Sequence, residues 1–133
     1  SNGIYKVLKN NCVEFVKPLS RKRSANIPNA VKINGKLYKV ITISANAFKG
    51  ITSLKTVTIG KNITSIKSKA FYGCRNLKSI TIKTSSLRNR NVGAKAFTGT
   101  NAKSKVKVPV KQLKSYKKLL KSKGMSKKAI YKK

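Results

Sequence analysis

Ala70-Phe71-Tyr72-Gly73-Cys74, running on to Leu77-Lys78-Ser79-Ile80-Thr81-Ile82, carries a phrase the chain uses three times. Ala47-Phe48-Lys49-Gly50 places its Phe 23 residues earlier, and Ala96-Phe97-Thr98-Gly99 places its Phe 26 residues later. Each Phe has a branched apolar residue five positions before it: Ile43, Ile66 and Val92. The sequel Leu77-x-x-Ile80-x-Ile82 also follows the first phrase, as Leu54-x-x-Val57-x-Ile59. A fixed period of this length marks stacked supersecondary units, none of which buries its apolar side alone. Strand alternation sends Val57, Ile59, Ile80 and Ile82 to one face and Thr56, Thr58, Ser79 and Thr81 to the other, and the branched residues favour strand over helix. Leu54, Ile63, Ile66, Ala70, Phe71 and Cys74 then complete a layer of core.

The predicted fold is a repeat solenoid, mostly β with short strands. Its 133 residues are read as one domain: an N-terminal cap over 1–26, repeats over 27–109, and a C-terminal helical cap and tail over 110–133. In the cap, Ile4–Leu8 and Cys12–Val16 read as two strands about a polar turn. Residues 18–26, with Pro18 and the basic run Arg21-Lys22-Arg23, read as an exposed connection. Asn34-Gly35 lies between alternating apolar runs and signals a hairpin inserted in the first repeat, because both turn residues need positive φ. The third repeat carries three extra residues within Ser85–Asn91, including Arg88 and Arg90. Its strand-like run ends Val108-Pro109, which suits an edge or terminal strand. From Val110 to Gly124, Leu113, Tyr116 and Leu119 or Leu120 recur at helical spacing, and Gly124 is placed to end the helix. At the end of an array such a helix is read as a closing cap; lying on anionic lipid is the other use of a basic amphipathic helix.

The charge is extreme: 33 Lys and Arg against one acid, Glu14, for a net charge of +32. Regular apolar spacing separates this chain from disordered polycations, whose hydrophobicity is low and aperiodic. Lys far outnumbers Arg, which favours diffuse attraction to polyanions over forked recognition. Cys12 and Cys74 are too few for a disulfide framework, and both are read as unpaired. No run is long enough to span a bilayer. The opening Ser1-Asn2-Gly3 shows no leader pattern, and secretion stays open.

Leu54, Val57, Ile59, Ile66, Ala70, Phe71, Gly73, Cys74 and Leu77, continued by Ile80 and Ile82, resemble the BspA-type leucine-rich repeat family. The resemblance covers about Val40 to Pro109, with Ile51 and Thr100 standing where the other phrases lack Cys. The stretch Val106–Pro109 to Tyr116–Leu120 looks like the usual ending of such proteins. The resemblance implies a secreted or surface-exposed bacterial protein with adhesive or ligand-binding roles, and it brings no catalytic residue with it.

With no His, no Asp and one Glu, the chain cannot build a carboxylate pair for acid–base work, and it lacks the donors for a zinc or calcium site. No phosphate-binding loop or dinucleotide fingerprint occurs. The reading is therefore no enzyme and no cofactor. What is left is surface. Stacking puts Thr56, Ser79 and Lys105 in one column and Thr58, Thr81 and Lys107 in a second. Lys55, Lys78 and Ser104 border them, with Lys61 and Lys83 nearby. Lys55, Lys61, Lys78, Lys83, Lys105 and Lys107 are the candidate polyanion-binding residues. The expected partner is an anionic polysaccharide or cell-wall polymer, or a host or surface protein. A plain solvated sheet face and a ligand-free spacer are the alternatives. Nucleic-acid binding is another, favoured by a pI near 10.8 and opposed by the lack of any nucleic-acid motif or interleaved stacking aromatics.

Overall fold

A computed structural model describes residues 2–133. Its strands are β1 (Gly3–Val7), β2 (Cys12–Pro18), β3 (Ser24–Ile27), β4 (Ala30–Ile33), β5 (Lys36–Ile43), β6 (Thr56–Ile59), β7 (Ser65–Ile66), β8 (Ser79–Ile82), β9 (Lys105–Lys107) and β10 (Ile130–Lys132). One helix, α1 (Leu113–Ser122), follows a short 3-10 turn over Val110–Gln112. The fold is of the leucine-rich-repeat type, mostly strands with one short C-terminal helix.

The strands form two sheets. In the first, β3, β6, β8, β9 and β10 lie side by side, all parallel. In the second, β1, β2, β5 and β4 are neighbours in that order, and β7 adds to β5. Val92 extends this second sheet through a bridge to Ile66. Ile43, Ile66 and Val92, the branched residues before each Phe, are thus in direct register.

Between the sheets lies one apolar cluster that includes Val57, Ile59, Ile66, Leu77, Ile80, Ile82 and the phenylalanines. Phe48, Phe71 and Phe97 are buried, and their rings stack face to face at 5.0 and 5.2 Å. Phe15 adds a fourth ring, 5.3 Å from Phe48, and the ring of Tyr5 packs edge-on against Phe15. The small Ala before each repeat Phe permits a tight turn. The residue before that Ala is left-handed in every copy (Asn46, Lys69 and Lys95), as is the Gly two residues after the Phe. The turns are tied together by Phe48 N–H donating to Ala70 O at 2.7 Å and Phe71 N–H to Ala96 O at 2.8 Å. The residue that ends α1 takes the next place: Lys123 O accepts the Phe97 N–H at 3.0 Å. Gly93 packs so closely on the backbone of Ser68 that a Cβ there would collide.

Three expectations change. Residues 18–26 are not wholly an exposed connection, because Ser24–Ile27 form β3. Pairing with β6 supplies the partner that the basic run before it hides, and Ile27 is buried. The run ending at Pro109 is not at an edge, since β10 lies outside β9. Pro109 still costs no ladder bond, because it falls after β9 has ended. The Asn34-Gly35 hairpin forms, with φ of 52° and 79°, but β5 also pairs with β2 and β7 and so belongs to the second sheet.

Candidate polyanion-binding face

Strand alternation fixes the outer side of the first sheet. Thr56 faces Ser79, which faces Lys105; Thr58 faces Thr81, which faces Lys107. Both columns are longer than the sequence indicates. Ser24 and Asn26 begin them, and Ile130 and Lys132 end them. Neighbouring strands lie about 4.8 Å apart, and Lys107 and Lys132 are direct partners across the β9–β10 pair. Ser24 and Thr56 share a hydroxyl–hydroxyl hydrogen bond of 2.7 Å, which orders that end of the hydroxyl column.

Lys55 and Lys78 flank the columns on one side, with Lys78 N–H donating to Lys55 O at 2.9 Å. Arg23 continues this border, since Lys55 N–H donates to its carbonyl at 2.7 Å. Beyond the opposite ends of the strands, Lys83 N–H is bound to Ile59 O at 2.9 Å and Lys61 N–H to Asn29 Oδ1 at 2.8 Å. All six candidate lysines are exposed. They occupy the strands of this sheet or the residues just beyond them. Ser104 does not join the border. It is fully buried, and its hydroxyl donates to the carbonyls of Leu77 and Asn101, both at 2.7 Å. The sequence reading leaves out Arg23 and Lys132 because it leaves out β3, which Arg23 precedes, and β10; alternation of Ala25 and Ile27 against Ser24 and Asn26 is the available signal for β3.

No carboxylate neutralises this face. Glu14, the only acid of the chain, is buried in β2. It accepts a short hydrogen bond from Ser44 Oγ, and Lys67 Nζ lies 3.2 and 3.4 Å from its two oxygens. Burial pushes the Glu14 carboxyl up, but these bonds and the charges of Lys67 and Lys6 outweigh it and hold the group below its ordinary value. The strand-face cations are left to solvent and to whatever anion comes from outside. Charge is managed elsewhere by rings: Lys49 and Lys69 both approach the ring of Tyr72, at 5.8 and 5.5 Å.

Among the described residues, no three His, Cys, Asp or Glu side chains gather where a metal ion could be held. Cys12 and Cys74 are both free. Cys74 is buried, donates to Phe48 O at 3.0 Å, and its thiol is pushed up to about 11 by burial. No helix among the described residues is long and apolar enough to cross a membrane.

An array of parallel strands with aligned outer side chains and a ladder of inner rings defines the class of leucine-rich repeat proteins. Within that class, the chain belongs to the BspA type leucine rich repeat family, whose model matches six copies over residues 24–127. No curated protein matches the chain. Among solved structures, it is similar to a leucine rich cell surface protein of Faecalibacterium prausnitzii, with TM-score 0.61 and 23% identity over 78% of this chain and 30% of that one. A leucine-rich repeat protein of Bacteroides ovatus gives TM-score 0.56 and 20% identity over 81% of this chain and 36% of that one. One from Bacteroides capillosus gives TM-score 0.60 and 20% identity over 97% and 92%. The chain thus spans about a third of the length of the first two.

Proposed function

We propose that this chain is a non-catalytic interaction module, secreted or displayed at a bacterial surface, that holds an anionic glycan or cell-wall polymer on its strand face. On this reading the stack is a solenoid closed by the β1–β2 hairpin at one end and α1 at the other. The observation that carries the proposal is the register of Lys105 and Lys107 with the Ser79 and Thr81 hydroxyls, on a face whose cations have no acid to pair with. Sulfate, phosphate and carboxylate groups repeated along a polymer suit such a surface. Several weak contacts then act together, and each releases counterions. Membership of the family and the naming of one structural neighbour as a cell surface protein support the location.

An array of sulfated, carboxylated and phosphate-bearing polymers, with neutral glycans and DNA alongside, tests the reading at several salt concentrations. Acidic glycans or teichoic acid should retain the chain at salt levels that release DNA. Retention of DNA above every acidic glycan would favour a nucleic-acid partner. No retention of any polymer at low salt would leave a spacer whose charge only solvates it.

A further inference from the structure

The lengthened spacing between Phe71 and Phe97 has a spatial counterpart. Leu87, Arg88 and Asn89 of the enlarged third repeat form, with α1 and the turn before it, the walls of a groove of ≈ 580 Å³. That volume is in the range of small-ligand sites, roughly 300–1,000 Å³. Leu87 and Leu119, both buried, supply its apolar floor. Asn89, Gln112 and Ser115 supply neutral hydrogen-bonding groups, and Arg88 and Lys118 supply two exposed cations, one on each wall.

The groove has a fixed frame. Tyr116, buried on α1, donates its hydroxyl hydrogen to Thr84 O at 2.7 Å and accepts from Leu87 N–H at 3.1 Å. Thr84 is itself fixed, its hydroxyl donating to Ile63 O at 2.6 Å. The helix and the insertion are therefore locked on each other at Leu87, which also lines the groove. On the helix wall, Ser115 Oγ lies 3.2 Å from Gln112 Oε1 and 3.3 Å from Gln112 O.

From this lining we infer that the groove is a subsite for a single acidic sugar residue, one carrying a carboxylate, within the anionic glycan of the proposed function. The inference rests on that reading. The leucines would take the apolar face of a sugar ring. The amides and hydroxyl match its ring hydroxyls. The Arg88 fork, paired with Lys118, matches the planar acid. A lysine-studded flat face has none of this selectivity. An acidic peptide is the lesser fit, because it repeats charge without offering ring hydroxyls to the neutral groups.

The test uses a hexuronate tetrasaccharide, its carboxyl-reduced neutral counterpart, hexaglutamate and long-chain heparin, each titrated at physiological salt. The proteins are the wild type, R88Q, R88K and R90Q. Arg90 neighbours the groove without lining it, so R90Q controls for loss of one charge. Both arginines are exposed, and circular dichroism checks that each variant is folded. The acidic tetrasaccharide should bind in preference to the other two short ligands. R88Q should weaken it about tenfold, equivalent to ~1.4 kcal/mol, R88K should recover only part, and R90Q should change it less than about twofold. Equal losses in R88Q and R90Q, or hexaglutamate binding as tightly as the sugar, would overturn the subsite. Heparin binding with no tetrasaccharide binding would overturn it too, while leaving the polymer reading in place. If neither binds, both readings fall.

Discussion

The ring of Phe71 lies 5.0 Å from the ring of Phe48, with their planes only 5° apart. The two residues are 23 positions apart in sequence, so this contact is the repeat period expressed in space. The same arrangement continues to Phe97 on one side and Phe15 on the other. Phe48 and Phe71 are each core for their own repeat and floor for the next.

Phe71 has rings on both faces, so Phe71→Ala should cost about 3–5 kcal/mol, as large core truncations do. Phe71→Leu should cost less, since it keeps most of the volume. Urea unfolding checks both, and a loss below about 1 kcal/mol for the alanine variant would mean the ladder is not what joins the repeats.

Two tyrosines with buried hydroxyls should respond differently. Tyr116→Phe removes a hydroxyl bonded to both Thr84 and Leu87 and should destabilise by about 1–3 kcal/mol. Tyr131→Phe removes a buried hydroxyl with no hydrogen-bond partner, so it should be neutral or stabilising by up to about 1 kcal/mol. Burial pushes the Tyr131 phenol up to about 12, and ultraviolet titration of the phenolate should find it among the last to ionise. Equal destabilisation by the two substitutions would contradict the assignment of their hydroxyls.

Glu14 should make the protein acid-sensitive. Its folded value lies below its unfolded one. The stability it contributes is therefore complete above the ordinary glutamate value of about 4.3 and fades as pH falls through the folded value. Glu14→Gln should lower stability at pH 7 by about 1–2 kcal/mol, a modest figure because half of the Lys67 side chain is exposed. It should also flatten the acid limb of a plot of stability against pH. An unchanged acid limb in the variant would show that the ion pair does not couple to folding.

The two thiols should label differently. Cys74 is buried and raised to about 11, so little thiolate forms at neutral pH. Ellman's reagent should react with Cys12 in the native protein and with both residues after denaturation. Labelling of Cys74 at the rate of Cys12 under native conditions would indicate that the ladder opens readily.

Much of this fold was legible because repetition makes positions equivalent. Once Phe48, Phe71 and Phe97 align, period-2 alternation places Thr56 beside Ser79 and Ser79 beside Lys105 without further information. The rest is hidden where the repeat phrase is missing. Phe15 is a rung of the ladder, but it sits on β2 without an Ala-x-Gly context, and its position depends on the parallel pairing of β2 with β5. β3 follows a basic run and β10 has only three residues; each is held by pairing with a neighbouring strand more than by its own propensity. Counting columns alone puts Ser104 at the border of the face, whereas the third repeat turns it inward onto two carbonyls. The sole acid of a chain with net charge +32 was a signal available from composition: an isolated carboxylate among so many cations is apt to be claimed by one of them.

The salt dependence of heparin affinity tests the proposed polymer site most directly. It should be measured for the wild type and for a variant with Lys55, Lys61, Lys78, Lys83, Lys105 and Lys107 all changed to Gln. These side chains are exposed, so the variant should keep the fold. The logarithm of affinity should fall linearly with the logarithm of salt concentration, with a slope set by the number of anionic contacts. The account predicts weaker binding and a clearly shallower slope for the variant. A slope identical to that of the wild type, or wild-type affinity unchanged from low to high salt, would contradict it.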